Sequence, residues 1–197
     1  MNDVERGIGS SLRVWAVLLV IGAKAWAGDI VCFEAESASS ISAPVKIVKQ
    51  AADPADAKIL KEASGEQYIE LVEGAGKPPD VGGEAAYSFE VAQAGDYVLW
   101  IRAWWMDSCG NSLTIVMDGA RPFTFGEDGT YKSWHWVKGM KVALAAGRHE
   151  LKVQNREDGV KVDEILLSKD PKYVPVGIED PNVTVEPAAQ TPEAGKK

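Results

Sequence analysis

The chain is poor in the residues from which most catalytic centres are built. Of its 197 residues two are histidine and two are cysteine. His135 and His149 lie apart, with no Cys or Asp at metal-ligand spacing, which argues against a catalytic zinc centre. No Gly-x-Ser-x-Gly elbow occurs, so the usual setting of a Ser-His-Asp triad is missing. With 29 Asp and Glu residues, some pair meets the ~5–9.5 Å separation of glycosidase carboxylates by chance, so acid pairs carry no weight. There is no Lys/Arg run, and the formal charge is −8. Nucleic-acid binding rests on cationic phosphate contacts, and an acidic chain makes few of them. Beyond the first thirty residues no segment sustains a 3.6-residue apolar period. What remains points to a binding protein more than to an enzyme.

The N-terminus reads as a targeting segment. Arg6 and Arg13 precede the apolar run Val14–Ile21, and Ala25-Trp26-Ala27 has the form of an A-x-A cleavage site. Residues 1–27 are expected to be a secretory signal peptide. The alternative is an uncleaved anchor, but a span needs about 20 apolar residues and this run is shorter. Asp29-Ile30-Val31 before Cys32 lacks the small residues of a lipobox. Cleavage would remove three basic residues (Arg6, Arg13, Lys24) and two acidic ones (Asp3, Glu5), taking the charge from −8 to −9. The expected product is exported, either extracellular, periplasmic or on the cell surface, with no membrane insertion after cleavage. In such a compartment Cys32 and Cys109 can form a bridge or remain free thiols.

From Gly28 to Gly177 the chain reads as one all-β domain. Short alternating segments are expected at 30–36, 45–49, 57–60, 67–72, 85–91, 96–105, 112–117, 122–125, 134–137, 141–144, 149–155 and 160–168. Ala94-Gly95, Asp118-Gly119 and Asp158-Gly159 read as tight turns in which Gly supplies positive φ. That pattern predicts a β-sandwich. Residues 178–197 are rich in Glu, Pro, Ala and Thr without aromatics, and read as a disordered tail.

Glu34 and Glu36 are two apart in FEAES, so on a strand they share a face. Adjacent carboxylates repel unless they are solvated or bridged by a cation. Calcium accepts carboxylate and carbonyl oxygens in a flexible shell. Asp163, in VKVDEILL, would complete a cage if the first and last strands lie side by side. Spacing alone leaves both readings open, a calcium site or solvated surface acids.

The ordered set FEAES, AYSFEVAQAGDYVLWIRAWW, LTIVMDG, WHWV, LAAGRHELKV and VDEILL resembles the family-6 and family-35 carbohydrate-binding modules. These are jelly-roll β-sandwiches of the galactose-binding-like fold. The resemblance runs from about Ile30 to Lys169. It implies a structural calcium on Glu34, Glu36 and Asp163, tying the chain ends together. It also implies a sugar site in loops at one end of the sandwich, with Trp134 at the stacking position. The family's Asn, two residues before the last-strand Asp, is replaced by Lys161. Lysine donates but cannot accept, so the amide's two-way contact to vicinal hydroxyls is lost. This either moves preference toward acidic sugars or leaves the site unused. A stacking Tyr is not identifiable between Lys77 and Glu84.

In the alternating strand, Trp100, Arg102 and Trp104 share one face and Tyr97, Leu99 and Ile101 the other. Trp100 and Trp136 are expected to be core; Trp104, Trp105 and Trp134, near strand ends, are expected to be exposed. One indole face covering ~60 Å² of sugar gives ~1.5 kcal/mol, so affinity between millimolar and micromolar is expected. Arg156, in a hairpin tip, is either a solvated turn residue or a contact for a carboxylate sugar. The expected function is a secreted, non-catalytic carbohydrate-binding module with calcium, with Trp104, Trp105, Trp134, Arg156 and Lys161 in contact with a polysaccharide or glycan. The alternative is a cell-envelope adhesion module that uses the same fold to bind a surface protein.

Overall fold

The computed structural model describes residues 29–72, 74 and 82–186. The expected signal peptide, most of the 77–84 loop and residues 187–197 lie outside them. Among the described residues eleven strands form two antiparallel sheets. The first sheet has the order β3 (Val45–Val48), β4 (Tyr68–Leu71), β11 (Val160–Ser168), β6 (Gly95–Trp104), β9 (His135–Leu144), and β1 (Ile30–Glu34) also pairs with β11. The second has the order β2 (Ser40–Ser42), β5 (Glu84–Val91), β10 (Gly147–Asn155), β7 (Ser112–Met117), β8 (Phe123–Gly126). Their inner faces enclose one core, in which Phe33, Tyr87, Phe89, Leu99, Ile101, Trp105 and Ile165 are all at most 1% exposed. The sequence pattern is that of a β-sandwich, and the chain folds as one.

First and last strands are neighbours. β1 runs antiparallel to β11 from Ile30↔Ser168 to Glu34↔Glu164, and β4 pairs with the other half of the same β11 edge at Val160–Val162. Asp163 lies where these two partners meet. There the register of β11 against β6 shifts between Val162 and Glu164. A bulge of this kind inserts one residue and changes which face its neighbours present. Val160 and Val162 point into the core before it, and Ile165 and Leu167 after it.

The strand expected at 57–60 is a helix, α1 (Pro54–Glu62). Asp53 caps it, accepting from the Ala55 and Asp56 amides at 2.8 and 2.9 Å, and Pro54 supplies a fixed φ in the first turn. Nine residues are too few to display an apolar period, yet Asp-Pro-x-Asp is a start signal. The segments expected at 134–137 and 141–144 are one strand, β9, running through Gly139. A Cβ there would come within 2.6 Å of the Phe125 ring, so the glycine is a packing requirement, not a break.

The outer face of the first sheet is covered, and this removes the expected alternation of burial. α1 packs Ile59 and Leu60 on Tyr68 and Trp104. A C-terminal strap covers Cys32, Trp100 and Leu166 with Tyr173. The tail expected to be disordered from residue 178 is therefore held as far as Glu186. The Asn182 side chain accepts from the Cys32 amide at 2.9 Å and donates to the Ile30 carbonyl at 3.1 Å. Val183 and Val185 pack against the core, and the Glu186 amide donates to the Ser88 carbonyl at 2.8 Å. Composition missed this because the strap is anchored by backbone and amide hydrogen bonds rather than by large apolar side chains. Both cysteines are free, Cys32 buried under the strap and Cys109 exposed.

On the second sheet, His149 is buried with Nδ1 2.7 Å from Asp118 Oδ2 and Nε2 2.9 Å from the Ala145 carbonyl. Both partners are acceptors, so only the imidazolium satisfies both. Burial opposes that charge, but the Ala145 carbonyl and Asp118 carboxylate prevail and raise the pKa above 6.5. A raised histidine pKa stabilises the fold fully below 6.5 and loses that stabilisation as pH rises through the raised value. Urea midpoints measured from pH 6 upward are expected to fall with pH. In His149→Gln that component of the slope is absent; an unchanged slope would contradict the assignment.

Candidate functional site

Four side chains form a row across the outer face of the first sheet. In the strand registers Lys46 faces Glu70, Glu70 faces Lys161, and Lys161 faces Trp104. Lys161 Nζ lies 2.8 Å from Glu70 Oε1, and Lys46 Nζ lies 3.0 Å from Glu70 Oε2. Lys161 also sits over the Trp104 ring at 5.2 Å and the Tyr68 ring at 5.9 Å, a cation–π arrangement that holds its ammonium in place. Burial by itself would raise the Glu70 carboxyl, but hydrogen bonds and charge from Lys161 and Lys46 outweigh it and hold it below its ordinary value. The row ends at a cleft of about 450 Å³, walled by Trp104, Lys161 and Glu70 on the sheet, Asp56 on α1, Met106 after β6 and Asp158 after β10. A second hollow of about 400 Å³ shares Asp56, Trp104, Met106 and Lys161 with it.

The expected contact residues separate here. Trp104 and Lys161 come together at the cleft, but Trp104 is only 6% exposed, so it is a floor that positions Lys161 rather than an open stacking face. Trp105 is fully buried in the core, its indole N–H donating to Asp128 at 3.2 Å. It follows the last residue of β6 and its side chain lies in the core, on the opposite side of the sheet from Trp104, so it cannot reach a ligand. Trp134 is half-buried beside α1, donating to the Ile59 carbonyl at 2.9 Å and packing edge-on to Tyr68. It also borders a separate hollow with Trp100, Arg102 and Trp136, away from the cleft at Lys161. Arg156 is tied up at the hairpin tip by Glu157 at 2.9 Å and by Ser112, away from the cleft. Trp100, expected in the core, is buried on the outer face with Lys138 over its ring, and Trp136 packs beside it. The strongest missed contributors are Met106, 48% exposed, and Asp56. Met106 falls between the segments expected at 96–105 and 112–117, and Asp56 just before the one expected at 57–60, inside α1.

The acidic residues converge on a second place, the junction of β1, β4 and β11. The turn at Ser64 is the hub. Its amide donates to Asp163 Oδ1 at 2.9 Å and its hydroxyl to Glu34 Oε1 at 2.7 Å, while the Glu36 carboxylate approaches Gly65. Asp163 Oδ2 accepts from Arg102, which also donates to the Glu62 carbonyl at 3.2 Å. Despite that ion pair, burial raises the Asp163 carboxyl to about 6. Burial, with the Glu34 and Asp163 charges, raises Glu36 to about 7. Glu164, beside Asp163, is raised by burial to about 8. The Oε2 atoms of both Glu34 and Glu36 are buried without a partner, an acceptor surplus of the kind a hard cation satisfies. Among the described residues no set of three or more His, Cys, Asp or Glu side chains is arranged to hold a metal ion by itself. Asp163 is already engaged by Arg102, so a cation here would be held through Glu34 and Glu36 first, with carbonyl or hydroxyl oxygens completing the shell.

No known protein-family profile matches the chain. A curated relative, an uncharacterized protein of Formosa agariphila, is 29% identical over 163 residues, with 66% of this chain and 39% of the relative covered. Among solved structures, a GH26-CBM35 β-(1,4)-mannanase of Podospora anserina aligns with a TM-score of 0.54 and 18% identity, over 77% of this chain and 30% of that one. An exo-β-1,3-galactanase of Phanerochaete chrysosporium bound to β-1,3-galactotriose aligns with a TM-score of 0.53 and 14% identity, over 71% of this chain and 29% of that one. The chain spans well under half the length of each of these proteins, and what it shares with the two solved structures is a β-sandwich fold.

Proposed function

We propose that this chain is an exported, non-catalytic module that binds glycans weakly through the cleft above Trp104. The observation that carries this reading is the fixed donor–acceptor pair Lys161–Glu70 over an indole, at the wall of an open cleft of sugar size. Such a pair offers hydroxyl groups both a donor and an acceptor, which restores in two residues what a single amide offers in one. The fold similarity to a mannanase carrying a CBM35 module and to a galactanase bound to its oligosaccharide supports the same class of ligand. A calcium ion held by Glu34 and Glu36, with Asp163 adjacent, would serve stability and not ligand contact.

Tryptophan fluorescence titration with soluble galactan, mannan and glucan tests the reading. Lys161→Met keeps the aliphatic stem over Trp104 and removes the donor. It is expected to weaken binding about tenfold, the value of a hydrogen bond from a charged donor. Trp134→Ala, beneath the helix, is expected to leave affinity within about twofold. Equal loss in both variants would place the site elsewhere. An adhesive role draws on a different observation, the exposed apolar series Val174 (62%), Val176 (79%) and Ile178 (53%) along the strap. A folded protein that ignores every glycan would shift the function to that ridge.

A further inference from the structure

The cleft is strongly negative. Among the residues that wall it, the carboxylates of Asp56, Glu70, Asp107 and Asp158 stand against the single ammonium of Lys161. The charge of that ammonium is already matched by Glu70 at 2.8 Å and backed by Trp104, although its other N–H groups remain as donors to a ligand. Asp107 accepts from the nearby Cys109 amide at 2.8 Å and Asp158 from the distant Gly74 amide at 2.6 Å, so neither is paired with a cation there. The adjoining hollow does not correct the imbalance, because Lys58 and Lys132 there are matched by Asp53 and Glu62. The chain as a whole is also acidic, at −8.

We infer that the cleft selects glycans by charge, taking amine-bearing sugars ahead of neutral ones and rejecting those with carboxylate or sulfate groups. This rests on the glycan-binding reading above and names its ligand class. It reverses one expectation drawn from Lys161, that a lysine at this position moves preference toward acidic sugars. Here the lysine arrives with its own counter-ion. An anionic sugar would have to displace Glu70 from Lys161 and then face three further carboxylates. A sugar ammonium meets the same carboxylates as partners.

The experiment uses the full chain and oligosaccharides of one backbone in three charge states. A neutral panel of galactan, mannan and glucan oligomers first fixes the backbone. Its C2-amino and C6-carboxylate counterparts are then titrated calorimetrically near pH 6, where the amine is largely protonated and the carboxylate ionised. The expected order is amine, neutral, carboxylate, with roughly tenfold between the first two at low salt, shrinking toward twofold in about 0.5 M salt. In Asp56→Asn/Asp158→Asn, which keeps side-chain acceptors in place, the three affinities draw together. Carboxylate binding equal to or tighter than neutral, or an order that survives the double variant, overturns the inference while leaving a glycan site standing. No binding by any oligomer, charged or neutral, overturns the glycan reading and the inference with it.

Discussion

Arg102→Ala is expected to lower stability by about 3–5 kcal/mol, the largest effect of any single substitution on the outer face. Arg102 and Asp163 are both buried, at 7% and 0% exposed, and the guanidinium is the countercharge of a carboxylate whose desolvation already raises it to about 6. Removing it leaves an unpaired acid beside Glu164 and Glu34, and that uncompensated charge sets the cost. The same change also withdraws the cation lying 5.4 Å over the Trp134 ring. Urea denaturation reads the loss as a fall in midpoint at unchanged slope. Arg102→Met combined with Asp163→Asn is expected to recover part of it, because no ion then remains unpaired. If Arg102→Ala costs less than about 1 kcal/mol, the ion pair is not the keystone of this face.

Calcium at a hundred times its dissociation constant is expected to raise Tm by about 5–10 °C. Ligation of the native state alone contributes about 2.7 kcal/mol at that saturation, and a domain of this size converts each kcal/mol into about 2–4 °C. The partnerless Oε2 atoms of Glu34 and Glu36 are the reason to expect it. Magnesium, which keeps its waters and demands near-octahedral geometry, is expected to give a smaller shift. Glu34→Gln/Glu36→Gln removes the calcium shift without lowering stability in chelator, since neutral amides end the carboxylate repulsion. Absence of a shift in the native chain, or its persistence in the double variant, rules out a cation between these residues.

The sheets were legible in the sequence because two-residue alternation and glycine turns are local signals. β7 and β11 begin and end where the pattern placed them. What covers the sheets was not legible. α1 is too short to show a period and the strap too polar to look buried, yet together they decide that Trp104, Trp100 and Cys32 are enclosed. The adjacency of Glu34 and Asp163 followed from first-to-last strand pairing. Their hub, Ser64, carried no signal, because a turn serine becomes significant only when distant strands bring acids to it. Lys161 was visible as an unusual residue at its position. Its partner Glu70 was not, since register between β4 and β11 is a long-range property.

The pairing of first and last strands bears on how the domain carries load. β1 and β11 are antiparallel, with Ile30 opposite Ser168, so a pull on the two chain ends meets their hydrogen bonds one after another, like the teeth of a zipper. Unaided, that arrangement yields at low force. The strap changes the order of events. It doubles back across β1, and Asn182 clasps Ile30 and Cys32, so tension from the C-terminal side must first peel this latch before it can part the strands. Were the domain held under tension at both ends, the strap would be a sacrificial segment, outside the core, to extend before the sandwich opens.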